Sequence, residues 1–272
     1  MAYYKILDTA LTAIANAIRS KTGRSAALTP AQMVTEINSL PDEEPDALLS
    51  RILQNNRTYD IETSAPGVKD YTFYNAKIGR FAALNAARVG IYAFSHSLVS
   101  DLYFPVADTL WGYSFEYCTE LTTLTAAMFP VLQNLSQYVF WYCTGLVSVV
   151  LPAVTTIGQY TFAYDTALET AEFEGATTVS YRAFHQDTAL ARVKLGGTSI
   201  AAQVFAGCTS LTQLVLGGTT VPSLANVNAF DGTPIAAGAG YIYVPDALVS
   251  AYKAATNWAT FAAQIKPVSE LA

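Results

Sequence analysis

The sequence contains few charged residues and no long apolar run. Only 13% of its 272 residues are charged and 52% are hydrophobic, a composition that excludes a disordered chain. The net charge of −6 and the shortage of Lys and Arg argue against nucleic acid and against an anionic membrane surface as partners. Because no apolar run approaches the roughly 18 residues that a membrane span needs, we expect no membrane insertion.

The sequence also has little material for catalysis or metal binding. Its three cysteines give no disulfide framework, because their number is odd. Each lies three residues after a recurring Phe, a position that Asp165 and Asp187 occupy elsewhere. We therefore interpret Cys118, Cys143 and Cys208 as small, buried or half-buried turn residues rather than as metal ligands. A Gly-x-Ser-x-Gly motif, a His-Glu-x-x-His motif and a phosphate-binding loop are all missing.

The remaining titratable candidates also have simple structural interpretations. His96 and His185 each follow a recurring Phe closely, where a polar surface residue is tolerated. Glu169, Glu172 and Glu174 form a tight carboxylate cluster, which we interpret as the solvated face of a strand rather than as a metal or acid/base site. We predict that the protein is not an enzyme, with no catalytic residue, no metal site and no cofactor.

The sequence is rich, by contrast, in an internal repeat of 21 to 25 residues. A branched aliphatic residue lies five positions before seven of the eight repeating Phe residues, and a Tyr lies two positions before five of them. A period of this length predicts a solenoid, in which each coil buries its apolar face against its neighbours. The repeating residues are Phe73, Phe94, Phe115, Phe140, Phe162, Phe184, Phe205 and Phe230.

Each repeat has two halves. After the Phe come a small residue, Thr, Leu and a short stretch with a two-residue apolar period, which predicts a short strand. The other half, Val/Ile-x-x-Tyr-x-Phe, predicts one turn of helix or a tight bend. The eighth repeat has Ala225 where the aliphatic residue is expected, and the turns near residues 130 and 217 carry insertions. We expect an α/β solenoid of about eight turns.

The repeat is most complete at residues 157–173, where it reads Ile-Gly-x-Tyr-x-Phe-x-x-Asp-Thr-x-Leu and continues to an apolar strand. This pattern resembles the BspA-like class of leucine-rich repeats over about residues 66–245. Residues 242–245 and 251–258 are similar to the tail of that class. The resemblance implies adhesion and the binding of proteins or glycans, and not catalysis.

The segments that flank the repeats have patterns of their own. Residues 1–40 show helical spacing and a Thr29-Pro30 helix start, which predict a small helical hairpin. Parts of this hairpin, 11–19 and 28–33, are similar to a module of bacteriophage tail and baseplate-associated proteins. We interpret 1–40 as an attachment or oligomerisation module, 41–65 as a linker and N-terminal cap, and 246–272 as a helical C-terminal cap.

Aromatic residues are the positive signal for function. The tyrosines before the repeating Phe, such as Tyr138 and Tyr160, should form one ladder along the solenoid. Tyr117, Tyr142 and Tyr164 should form a second. Two interpretations stay open: a half-buried spine that keeps its hydroxyls in water, or an amphipathic binding strip. The candidate ligand-binding residues are Trp111, Tyr117, Tyr138, Trp141, Tyr142, Tyr160 and Tyr164.

Three hypotheses about function follow. The first is a bacteriophage tail or baseplate component, located on the virion, whose repeats bind a bacterial surface glycan or protein and whose residues 1–40 bind other tail proteins. The absence of a secretory signal in the first 21 residues favours this hypothesis, because virion proteins leave the cell by lysis. The second is an adhesin on the bacterial cell surface. The third, a cell-wall-active enzyme, lacks the chemistry described above. Each of the three hypotheses is compatible with a homo-oligomer.

Overall fold

The computed structural model describes residues 61–271. The predicted helical module at 1–40 and most of the predicted linker and cap at 41–65 lie outside this range. Within it the chain forms a parallel β-solenoid of about nine coils. The expectation of an α/β solenoid is therefore wrong in its helical part, since the described residues contain a single α-helix, near the C-terminus.

One side of the solenoid is built from the longer strands, all paired in parallel. They form a three-stranded sheet of the first three and a seven-stranded sheet of the rest. Buried side chains alternate with more exposed ones along most of these strands, as the two-residue apolar period predicts, whereas residues 81–83, 214–216 and 242–244 are buried in succession. These strands are β1 (Ile61–Thr63), β3 (Arg80–Ala83), β5 (Asp101–Tyr103), β7 (Thr123–Thr125), β9 (Ser148–Val150), β11 (Thr170–Phe173), β13 (Arg192–Leu195), β15 (Gln213–Leu216), β16 (Tyr241–Val244) and β17 (Ile265–Pro267).

A second seven-stranded parallel sheet consists of strands only two residues long. Each places its aliphatic residue, five before the Phe, in the core, and these residues pair with one another from coil to coil. The strands are β2 (Gly67–Val68), β4 (Arg88–Val89), β6 (Thr109–Leu110), β8 (Asn134–Leu135), β10 (Thr156–Ile157), β12 (Thr178–Val179) and β14 (Ser199–Ile200).

The eight repeating Phe residues form one continuous column, which we call the Phe column. Consecutive rings are stacked, with centroids 4.9–5.7 Å apart and planes within 19° of parallel. Their side chains are buried in a single hydrophobic cluster that runs through the coils. The prediction of a shared apolar interior is confirmed.

From Phe73 to Phe205 the segment around each repeating Phe is neither a helical turn nor a single tight bend. The residues two before and two after the Phe have positive φ, for example 54° at Tyr160 and 67° at Tyr164. Phe230 differs, because it ends the 3₁₀ helix Val227–Phe230. Because positive and negative φ alternate along each of the other segments, every second N–H points along the solenoid axis. The N–H groups of Tyr160, Phe162 and Tyr164 therefore donate to carbonyls of the next coil. Bulky residues are uncommon at positive φ, and these inter-coil hydrogen bonds offset the strain.

The irregular repeats keep the same framework. In the eighth coil Leu224, one residue earlier than expected, pairs with Ile200 by a single bridge, so Ala225 does not interrupt the aliphatic column. The insertion before residue 130 separates the two sheets of long strands between β5 and β7. The short-strand sheet crosses that point without a shift, because Leu110 pairs with Leu135.

The segment 246–272, which we interpreted from the sequence as a helical C-terminal cap, contains both helices and a strand. It contains helix α1 (Val249–Ala254), the 3₁₀ helices Asp246–Leu248, Trp258–Phe261 and Val268–Glu270, and strand β17, which adds to the long-strand sheet. Trp258 closes the end of the core, where its indole Nε1 donates to the Pro222 carbonyl at 2.8 Å. Within residues 61–271 no helix has the length and apolarity of a membrane span.

Candidate aromatic binding surface

The tyrosines two residues before the Phe form a stack on the solenoid flank, which we call the first tyrosine column. Consecutive rings lie 4.7–5.0 Å apart and within 19° of parallel. The internal rings are half-buried. Burial is the main cause that raises the pKa of Tyr113 and Tyr138, and the neighbouring phenols add to it. The column consists of Tyr71, Tyr92, Tyr113, Tyr138 and Tyr160.

The tyrosines two residues after the Phe form a second tyrosine column, Tyr117, Tyr142 and Tyr164. Its rings are 4.7–4.9 Å apart and within 6° of parallel. His96 continues this column, because its ring stacks on Tyr117 with centroids 4.6 Å apart. His185 meets Tyr164 edge-on at 5.5 Å and is half-buried, so it is part of the aromatic packing and not only a tolerated surface residue.

Trp141 lies between the two columns and joins them. Its ring makes edge contacts with Tyr138 of the first column at 5.6 Å, and with Tyr117 and Tyr142 of the second at 5.4 and 4.7 Å. Its indole Nε1 is buried without a hydrogen-bond partner in the described residues. The two columns and Trp141 therefore form one aromatic flank.

Trp111, another predicted binding residue, has a different setting. It is 41% exposed, and the Arg88 guanidinium lies over its ring at 4.3 Å from the centroid. Arg88 also faces Asp70, with Nη2 and Oδ1 3.7 Å apart. Trp111 thus belongs to a cation–π pair that precedes the aromatic flank along its coil. The structure brings six of the seven predicted residues together: Tyr117, Tyr138, Trp141, Tyr142, Tyr160 and Tyr164.

The first tyrosine column ends in a polar cluster that the sequence analysis missed. Arg182 and Gln203 occupy the column position in the next two coils, also with positive φ. Arg182 Nη1 donates to the Tyr160 hydroxyl at 3.1 Å, and its Nε donates to Gln203 Oε1 at 2.8 Å. Tyr181 donates to the same oxygen at 2.8 Å. The signal in the sequence was the change from Tyr to Arg at a repeating position.

A second missed feature is a buried carboxyl group beside the flank. Glu116 is 6% exposed, and burial raises its pKa. The buried Ser95 hydroxyl lies 2.8 Å from both Glu116 Oε1 and His96 Nδ1. The order differs from a catalytic triad, in which the His lies between the acid and the nucleophile. Here the Ser connects the two titratable groups, so the cluster holds the coils together and has no exposed nucleophile.

The cysteines and aspartates three residues after the Phe form a buried column of their own. The Cys143 thiol donates to the Phe115 carbonyl, with Sγ and O 3.1 Å apart, and its backbone N–H donates to Asp165 Oδ1 at 2.7 Å. Asp165 N–H donates in turn to Asp187 Oδ1 at 2.9 Å. Burial raises the pKa of both carboxyls well above the usual range. Among residues 61–271 no three His, Cys, Asp or Glu residues are placed to hold a metal ion.

A family model matches this part of the chain. Six copies of the BspA type leucine-rich repeat align with residues 87–212. This repeat region contains the candidate residues of both tyrosine columns as well as Trp111 and Trp141, and its model indicates no catalytic family.

Solved structures with the same kind of repeat are only distantly similar. A leucine-rich cell surface protein of Faecalibacterium prausnitzii is 14% identical, with a TM-score of 0.42 over 65% of this chain and 54% of that one. A leucine-rich repeat protein of Bacteroides ovatus is 14% identical, with a TM-score of 0.43 over 68% and 52%. The match thus spans about half of each relative, and similarity this low carries no argument about function. No curated protein sequence matches the chain.

Proposed function

We propose that the protein is a non-catalytic binding protein whose aromatic flank binds a ligand on a bacterial surface. The observation that carries the proposal is the aromatic flank itself, in which two tyrosine columns and Trp141 lie side by side and half-buried. Tyrosine and tryptophan are the side chains that binding surfaces favour, since they combine apolar area with a polar group. A surface of this kind suits a glycan or a protein.

A separate question is what carries this binding surface, a bacteriophage tail or a bacterial cell; we call this particle or cell the carrier. Attachment to a bacteriophage tail rests on the resemblance of residues 1–40 alone, and these lie outside the described residues. An adhesin on the bacterial cell surface agrees equally well with a BspA-type repeat region. We place the tail component first because the N-terminal segment gives it a means of attachment, and we keep the adhesin as the alternative.

The binding proposal is tested with the full-length protein and purified bacterial cell walls. We expect the protein to co-sediment with walls of at least one species in a panel of Gram-positive and Gram-negative bacteria. A Tyr117→Ala/Trp141→Ala double variant that is still folded should co-sediment less. Trp258→Phe, at the far end of the core, is the control for mild destabilisation. If no wall in the panel retains the protein, the proposal of a wall ligand fails.

The carrier is tested by locating the protein in its native source. Antibody labelling of purified phage particles at the tail would support the first alternative. Labelling of intact cells in the absence of phage would support the adhesin. Substitution of Leu11 and Ile14 by Asp should release the protein from either carrier, if the predicted helical face of residues 1–40 attaches it.

A further inference from the structure

The tyrosine columns present their edges to solvent, not their ring faces. In the first column each internal ring has a parallel neighbour on both sides, at 4.7–5.0 Å. The faces of Tyr92, Tyr113 and Tyr138 are therefore covered by other tyrosines. A sugar that stacks on an aromatic face has no room along the middle of the column, so any ligand there meets ring edges and hydroxyl groups.

The hydroxyl groups of the internal rings are available to a ligand. Within residues 61–271 those of Tyr92, Tyr113 and Tyr138 have no hydrogen-bond partner in the protein, whereas that of Tyr160 accepts from Arg182. The pKa of each of these three phenols is raised, mainly by burial. They consequently stay protonated at neutral pH, and each can donate one hydrogen bond and accept others.

The spacing of these hydroxyls selects the kind of ligand. Because the rings of Tyr92, Tyr113 and Tyr138 are nearly parallel, we expect their hydroxyls to repeat along the axis at the ring step, 4.7 Å. An extended peptide along the column would present side chains of one face only every ~6.6 Å, twice the rise per residue, and would lose register within two or three units. A straight glycan with β-1,4 links advances by one sugar ring in nearly the step of the column. Successive sugars are turned over about the chain axis, but each has either ring hydroxyls or its hydroxymethyl group on the edge that faces the column, so every sugar can meet one tyrosine hydroxyl.

We propose that Tyr92, Tyr113 and Tyr138 form a hydroxyl comb that binds a straight β-1,4-linked glycan lying along the solenoid axis. Trp141 supports the comb from the side through its edge contact with Tyr138. The second tyrosine column runs beside it with the same step. The inference rests on the proposed binding function and specifies its ligand class and its contacts.

The first test compares glycans of one length and different shape. Binding of the full-length protein to cellohexaose, chitohexaose and maltohexaose is measured by titration calorimetry. We expect the two straight hexasaccharides to bind, with affinity that rises from the disaccharide to the hexasaccharide. Maltohexaose, whose α-links make the chain curve, should bind at least about ten-fold more weakly. Equal affinity for maltohexaose, or no binding of either straight hexasaccharide, would overturn the comb.

The second test removes the hydroxyls and keeps the rings. In the variant Tyr113→Phe/Tyr138→Phe the stack is preserved, and two hydrogen bonds to the glycan are lost. We expect the affinity for the straight hexasaccharide that binds best to fall roughly ten-fold or more. Tyr103→Phe, on long strand β5 away from the flank, is the matched control and should bind as the wild type does. Wild-type affinity in the double variant would overturn the comb, because a surface that uses ring faces does not need the hydroxyls.

These outcomes separate the comb from the broader proposal. If the protein binds cell walls but not the straight hexasaccharides, the comb is wrong and the proposed function stands. If it binds neither, both fall. Analytical ultracentrifugation tests whether a second copy of the chain occupies the flank instead of a glycan. That alternative is supported if the wild type forms a dimer, the Tyr113→Phe/Tyr138→Phe variant does not, and neither protein binds the glycans.

Discussion

The Phe column and the first tyrosine column run side by side along the same axis with similar steps, 4.9–5.7 Å and 4.7–5.0 Å. They differ in solvent contact, since Phe140 is fully buried and Tyr138, two residues earlier, is half-buried. The two-residue offset and the positive φ of the tyrosine turn one side chain inward and the other toward the flank. Both columns repeat because the coil geometry repeats. Only their contact with solvent distinguishes residues that pack the core, such as Phe140, from residues that can bind a ligand, such as Tyr138.

The largest expected effect is in the Phe column. Phe140 stacks between Phe115 and Phe162 at 5.5 Å on each side, so Phe140→Ala leaves a cavity inside the core. We expect a loss of about 3–5 kcal/mol in the free energy of unfolding, measured by denaturant titration. Tyr138→Ala, in the flank, should lose clearly less. Equal losses of stability in the two variants would show that the first tyrosine column belongs to the core as much as the Phe column does.

A smaller loss is expected where the flank is most closely packed. Trp141→Ala removes three edge contacts with tyrosines, and we expect it to cost about 2 kcal/mol as well as weakening cell-wall binding. Trp111→Ala is the matched control, since it loses only the pair with Arg88 and should cost at most ~1 kcal/mol. An unchanged melting temperature for Trp141→Ala would show that the indole does not join the columns.

The buried aspartates give the interior a pH dependence of its own. Burial raises the pKa of Asp165 and of Asp187, so the folded protein keeps these protons while the unfolded chain loses them above about pH 3.9. Stability should therefore be greatest below that pH and should fall as the pH rises toward the raised pKa values. In Asp165→Asn/Asp187→Asn this fall should be smaller by about 1 kcal/mol or more.

The test is the difference between the two stability curves from pH 4 to 9, which removes the contribution of other groups. The Asn variant should equal the wild type at the acid end and exceed it at the alkaline end. Parallel curves would mean that Asp165 and Asp187 titrate normally in the folded protein. Cys208, which fills the same column position without a carboxyl group, shows that the fold does not need an acid there.

The Phe column could be predicted from the sequence because a buried side chain has to recur in phase with the coil. The backbone around it could not, because Tyr is a poor residue for positive φ and its repetition suggested a helical turn. A signal was present: Asn75, Gly207 and Gly232 share the position of the second tyrosine column, and these residue types tolerate positive φ. The end of the first column at Arg182 became visible only from its contacts with Tyr160 and Gln203.

The smallest expected effect is also the sharpest test of how the flank is held together. If ring stacking stabilises the first tyrosine column and its internal hydroxyls are free, Tyr138→Phe should change the free energy of unfolding by no more than ~0.5 kcal/mol. Tyr160→Phe should cost about 0.5–1.5 kcal/mol, because the hydroxyl of Tyr160 accepts a hydrogen bond from Arg182. A loss at Tyr138 as large as that at Tyr160 would show that the hydroxyl of Tyr138 is already engaged within the protein and is not available to a ligand.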